Sequence, residues 1–140
     1  MNNKLKQLLL VDLCARLPYG VICSIYRTDD VGVGWRDEKL VGYFENSHSY
    51  EFNFGKDCIS VDNVDKIKPY LRPMSSMTEE EKKEYDKLFS IRSQGETYCE
   101  NWEWIDFMNS HHFDYRVLIE KGLAIAVTEE NNPYGKNSNS

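Results

Sequence analysis

Ser110-His111-His112-Phe113-Asp114-Tyr115-Arg116 holds the one histidine pair of this chain, with an aspartate two positions on. Two imidazoles and a carboxylate are zinc-type ligands, and an open coordination position would let such a metal activate water for hydrolysis. Adjacent side chains in a helix or strand point in different directions, however, so neighbouring histidines seldom share one metal. A further ligand has no obvious source, because His48 stands alone. The favoured reading has one histidine packing or capping at a break between two helices and the other facing solvent. The other catalytic patterns fail sooner. Gly32 and Gly34 form a GxG, but Asp37 occupies the place of the third glycine and no helix pattern follows, so a flexible hairpin loop is expected. Glu79, Glu80, Glu81 and Glu84 fall at a helix start that stabilises their ionised form, which suits capping better than general acid work. Asp62 and Asp65 read as turn residues. GxSxG, HExxH and P-loop patterns are absent.

A second concentration of residues suits recognition. Trp102, Trp104, Phe107, Phe113 and Tyr115 crowd together, interleaved with Glu100, Glu103, Asp106 and Asp114. A helix with tryptophan on two sides cannot easily bury both in a small domain. One side is then a candidate protein-binding patch of Trp102, Glu103, Trp104, Phe107 and Tyr115, since Trp and Tyr are favoured at binding hot spots. The competing use, which these residues favour slightly, has both indoles completing a core between sheet and helices.

The elements that would position these groups follow from periodicity. Leu5, Leu8, Leu9 and Leu13 recur at helical spacing, so a helix is expected from about Asn3 to Arg16, widened by Leu10 and Val11 and stopped by Pro18-Tyr19-Gly20. The period then changes to two. Val21 to Tyr26, Leu40 to Phe44, Tyr50 to Phe54 and a short piece at Ile59 to Val61 read as strands, with Tyr50, Phe52 and Phe54 expected on the core side. Thr28-Asp29-Asp30, Glu45-Asn46-Ser47 and Gly55-Lys56-Asp57 read as turns. Strands joined by short turns pair as antiparallel neighbours, which predicts a small meander or a partly open barrel. Ile67 to Pro73, bracketed by Pro69 and Pro73, is expected as an extended segment leaving that sheet. Thr78-Glu79-Glu80-Glu81 is a capping box for a second helix, broken at Ser93-Gln94-Gly95. A third helix is expected over Cys99 to Ser110, then a short one capped by Asp114 and closed by Gly122. Leu123 to Val127 is a weak edge strand. The fold class is therefore α+β: an N-terminal helix, a small antiparallel sheet, then two or three C-terminal helices. Residues 1–127 form a single domain, and 128–140 a disordered polar tail.

Composition bounds the function. The chain has 140 residues, 41% hydrophobic and 13% aromatic, which argues for a packed globule. The positive residues at Lys4 and Lys6 precede an apolar stretch, Leu8 to Val11, too short for a signal peptide and interrupted by Asp12, which predicts a cytoplasmic protein. No apolar run is long enough to span a membrane. Cys14, Cys23, Cys58 and Cys99 contain no CxxC, so buried free thiols are expected rather than zinc ligands or disulfides. Residues 1–73 carry 10 basic and 10 acidic side chains, and residues 74–140 carry 7 and 13, which supplies the whole net charge of −6. An acidic C-terminal half disfavours nucleic acid and anionic lipid, and suits a basic protein surface or simple solvation.

Leu13-Cys14-Ala15-Arg16-Leu17-Pro18-Tyr19-Gly20-Val21, Ile67 to Glu81, Trp104-Ile105-Asp106-Phe107, His111 to Arg116 and Leu118 to Ala124 together resemble a family of small uncharacterised proteins, widespread in Bacteroides-type gut bacteria and their phages or prophages. The resemblance implies a mobile-element origin and a cytoplasmic setting. It carries over no catalytic residues. The leading expectation is a non-enzymatic protein-interaction module without a cofactor, an accessory protein or inhibitor of a host protein. The alternatives are a small metal-dependent hydrolase centred on His111, His112 and Asp114, and a single-strand nucleic-acid binder, which the acidic balance disfavours.

Overall fold

Helix α1 (Asn3–Arg16) starts where the Asn2 side chain accepts the Leu5 amide hydrogen at 2.9 Å. It ends in one 3-10 turn, Leu17–Tyr19, with Gly20 in the left-handed region at φ 69°. A Cβ on Gly20 would meet only the movable end of the Lys39 side chain, Cε at 2.9 Å, so it is the left-handed backbone that favours glycine there. The computed structural model describes residues 1–29, 32–45, 49–55, 57–93 and 98–135. The expected turns at Asp30, at Asn46-Ser47 and at Lys56, the helix break at Gln94-Gly95, His48 and the last five residues lie outside these.

The fold is mixed α+β with open sheets, in the order expected: helix, strands, helices. The single meander is corrected to two small sheets. In the first, β1 (Ile22–Asp29) pairs antiparallel with β2 (Gly32–Lys39) over eight residues, from Ile22↔Lys39 to Asp29↔Gly32. The GxG loop is therefore strand: Gly34 lies opposite Arg27 and continues the ladder. The second sheet is β3 (Gly42–Glu45), β4 (Tyr50–Asn53) and β5 (Cys58–Ser60), all antiparallel. Phe52 and Phe54 face the core as expected, whereas Tyr50 is exposed and stacks on Tyr43 at 5.5 Å.

Ile67–Leu71 does not leave the sheet. As β6 it is an inner strand, antiparallel to β1 on one side and parallel to β7 (Ile125–Ala126) on the other. Its buried residues alternate, Ile67, Pro69 and Leu71. Pro69 lacks a ladder donor, and pairing with β1 stops there, at Cys23↔Pro69. The Tyr134 hydroxyl enters where the ladder opens. It accepts the Ile22 amide hydrogen at 3.0 Å and donates to the Tyr70 carbonyl at 2.8 Å. Its ring stacks on His112, centroids 3.8 Å apart. The expected tail from Thr128 is thus corrected for residues 128–135, because this tyrosine completes a sheet that proline leaves incomplete.

Leu9 and Leu13 of α1 belong to one core cluster with Cys23, Ile25, Ile67 and Phe52, all fully buried. Val11 points outward instead of widening the buried face. Among the described thiols only Cys23 is buried; Cys14 is half-buried and Cys58 exposed. No described helix is long and apolar enough to cross a membrane.

Candidate functional site

The segment Arg72 to Glu81 joins the sheet to the second helical layer. Helix α2 (Glu79–Ser93) opens with the expected capping box: the Glu81 amide donates to Thr78 Oγ1 at 3.1 Å, and Glu81 Oε1 accepts the Thr78 amide hydrogen at 2.9 Å. Glu81 also receives both Arg72 terminal nitrogens, at 2.8 and 2.7 Å. That bidentate guanidinium holds the Glu81 carboxyl down at about 2. His111 Nε2 lies 3.8 Å away from the same carboxylate.

The candidate metal ligands do not converge. His111 Nδ1 lies 2.9 Å from the Phe107 carbonyl, at the end of α3 (Tyr98–Ser110). His112, in the left-handed region at φ 62°, stacks on Tyr134. Both Asp114 oxygens are occupied, by the amides of Leu118 at 2.7 Å and Ile119 at 2.9 Å. Among the described residues no set of three or more His, Cys, Asp or Glu is placed to hold a metal. Asp114 caps as expected, but turns with Val117 at φ 62° replace the expected helix. Gly122 closes them: its amide bonds to the Ile119 carbonyl and that of Leu123 to Leu118.

Burial pushes the His112 imidazole down to about 4, with Arg16 and Arg72 adding to the effect. A histidine lowered from 6.5 stays neutral in the fold but protonates when unfolded, so its stabilisation is complete above pH 6.5 and is lost as pH falls to 4. Glu81, lowered from 4.5, loses its contribution below that, down to about 2. Urea unfolding is expected to show two acid steps. The upper is worth about 3 kcal/mol and disappears in His112→Asn, a residue that tolerates the left-handed backbone. A single acid step in wild type would contradict the assignment.

A feature that sequence reasoning missed lies behind this segment. Asp12 and Arg16 of α1 are both fully buried. Arg16 Nε donates to Asp12 Oδ2 at 2.7 Å and its Nη2 to the Phe113 carbonyl at 2.7 Å. Arg116 donates to Asp12 Oδ1 at 3.1 Å. Tyr115 lies between the two guanidiniums, 5.1 and 4.8 Å from its ring centre, and donates to Asn109. This network fixes the His-His-Phe-Asp-Tyr-Arg segment to α1. The i,i+4 spacing of Asp12 and Arg16 was the available signal, but it looks the same for a surface pair.

The aromatic residues divide. Trp104 is half-buried between Tyr85 and Tyr115, at 6.3 and 5.9 Å. Trp102, about 200° away around the helix, is 63% exposed, and Ile105 is 37% exposed. The favoured reading, with both indoles in the core, is corrected: one turns inward and one outward. Tyr115 joins the buried network, away from the patch. Glu103 and Phe107 instead line a groove of about 380 Å³ between α2 and α3, with Tyr19, Glu84, Leu88, Asp106 and Ser110. The Tyr19 hydroxyl donates to Asp106 Oδ1 at 2.5 Å. Another exposed indole, Trp35 on β2, went unnoticed because its strand read as loop; Tyr26 meets it edge-on at 5.4 Å and Lys68 Nζ lies 5.7 Å from its ring.

No family model, no curated protein and no solved structure matches this chain.

Proposed function

We propose that the chain is a non-enzymatic protein-interaction module that binds through the outer face of α3, in the manner of a phage-encoded accessory protein or inhibitor of a host protein. The observation that carries this reading is the exposure of Trp102, with Ile105 one turn along and its neighbour Glu103 lining an acidic groove. A tryptophan held on a rigid helix offers a large contact area at low entropic cost, the character of an interface anchor. Asp114 is committed to capping and His112 to stacking on Tyr134, so neither favours the hydrolase. In pull-downs from host lysate, Trp102→Ala and Glu103→Lys should each lose a retained protein by about tenfold, as hot-spot truncation does. Equal retention by wild type and both variants would remove this face from the account.

A further inference from the structure

We propose that the groove between α2 and α3 receives a basic amphipathic helix of the partner, one apolar side chain entering between two lysines or arginines. This rests on the interaction role proposed above and names its chemistry. The groove floor is apolar: Leu88 is 5% exposed and Phe107 half-buried. Its rims are acidic on both sides, with Glu84 on α2 and Glu103 and Asp106 on α3, all exposed. Among the described residues no lysine or arginine lines it. A space of about 380 Å³ admits side chains but not a helix backbone, so the partner must lie across the opening and insert.

Spacing suits such an occupant. Glu103 and Asp106 stand three positions apart, a rise of about 4.5 Å along α3. Cationic residues one turn apart on a partner helix have the same separation. The Tyr19 hydroxyl fixes Asp106 at the rim, so one carboxylate is already ordered for a cation. Trp102, one turn before Asp106, extends the surface with an aromatic face on which a guanidinium or ammonium can rest. Charge also selects among occupants. The whole −6 lies in residues 74–140, so a second copy would set carboxylate against carboxylate, and nucleic acid would meet the same repulsion.

The probe is a fluorescein-labelled leucine/lysine helical peptide of about 14 residues, titrated with the full chain and followed by anisotropy. Binding is expected, weakening about tenfold in the Glu103→Gln/Asp106→Asn double variant and again in about 0.5 M salt. Trp102→Ala should weaken it by a similar factor, and a leucine/glutamate peptide should not bind. Equal binding of the lysine peptide to wild type and double variant would overturn the proposal. So would self-association of the chain that the double variant abolishes, since a second copy would then be the occupant. If the lysine peptide fails while lysate proteins are still retained through Trp102, the basic partner is wrong and the interaction role stands. If both fail, both fall. All these substitutions are at exposed positions, so circular dichroism should show each variant folded.

Discussion

Replacing Asp12 by alanine is expected to destabilise the protein by about 3–5 kcal/mol, enough to leave much of it unfolded at ambient temperature. Arg16 is 0% exposed, and Asp12 supplies the carboxylate that balances it. Removing that carboxylate strands a guanidinium in an apolar interior, where its own desolvation is no longer offset. Arg116 also loses its partner, but it is partly exposed and can turn to water at little cost. The Phe113 carbonyl cannot substitute, because one neutral acceptor does not balance a full charge. Urea denaturation at neutral pH, followed by circular dichroism, measures the effect. The joint replacement Asp12→Leu with Arg16→Met should recover most of the loss, because both buried charges then leave together. A single-variant loss under about 1 kcal/mol would mean that Arg16 finds solvent or another anion.

Asp114→Ala is expected to cost about 2–4 kcal/mol. Its two oxygens accept the amides of Leu118 and Ile119, and the Leu118 bond is buried. Alanine leaves both donors without an acceptor while Leu118 itself stays in the core. The carboxylate also holds a turn in which β-branched Val117 adopts φ 62°, a conformation that relaxes once the cap is gone. Asp114→Asn keeps one acceptor oxygen and should fall about midway. Amide exchange at Leu118 and Ile119 gives the local reading: both should accelerate in the alanine variant. Unchanged exchange would show that the turn holds without the cap.

Local signals in the sequence located most elements. The leucine spacing placed α1, the Tyr50–Phe54 alternation placed β4, and Thr78 with Glu81 gave the start of α2. Features whose partners are distant in sequence were not legible. Tyr134 bonds to Ile22 and Tyr70, 112 and 64 positions away, and nothing near it distinguishes it from a polar tail. Arg16 reaches the Phe113 carbonyl across 97 positions. Pro69 hid an inner strand because proline argues locally against one, whereas a hydroxyl from another segment bridges the opened ladder. At the candidate site, the angle between Trp102 and Trp104 predicted that burying both would be hard. Which one faces out was decided by the inward packing of Tyr85 and Tyr115 on Trp104, a tertiary fact.

Photo-crosslinking tests most directly the proposed meeting of the outer face of α3 with another protein. A chain carrying p-benzoylphenylalanine in place of Ile105 should capture a discrete host protein, and adding Glu103→Lys should abolish the adduct. The same group in place of Val33, which is 70% exposed on β2, should capture none. Equal adducts from both positions, or an adduct at Ile105 that survives Glu103→Lys, would contradict the account.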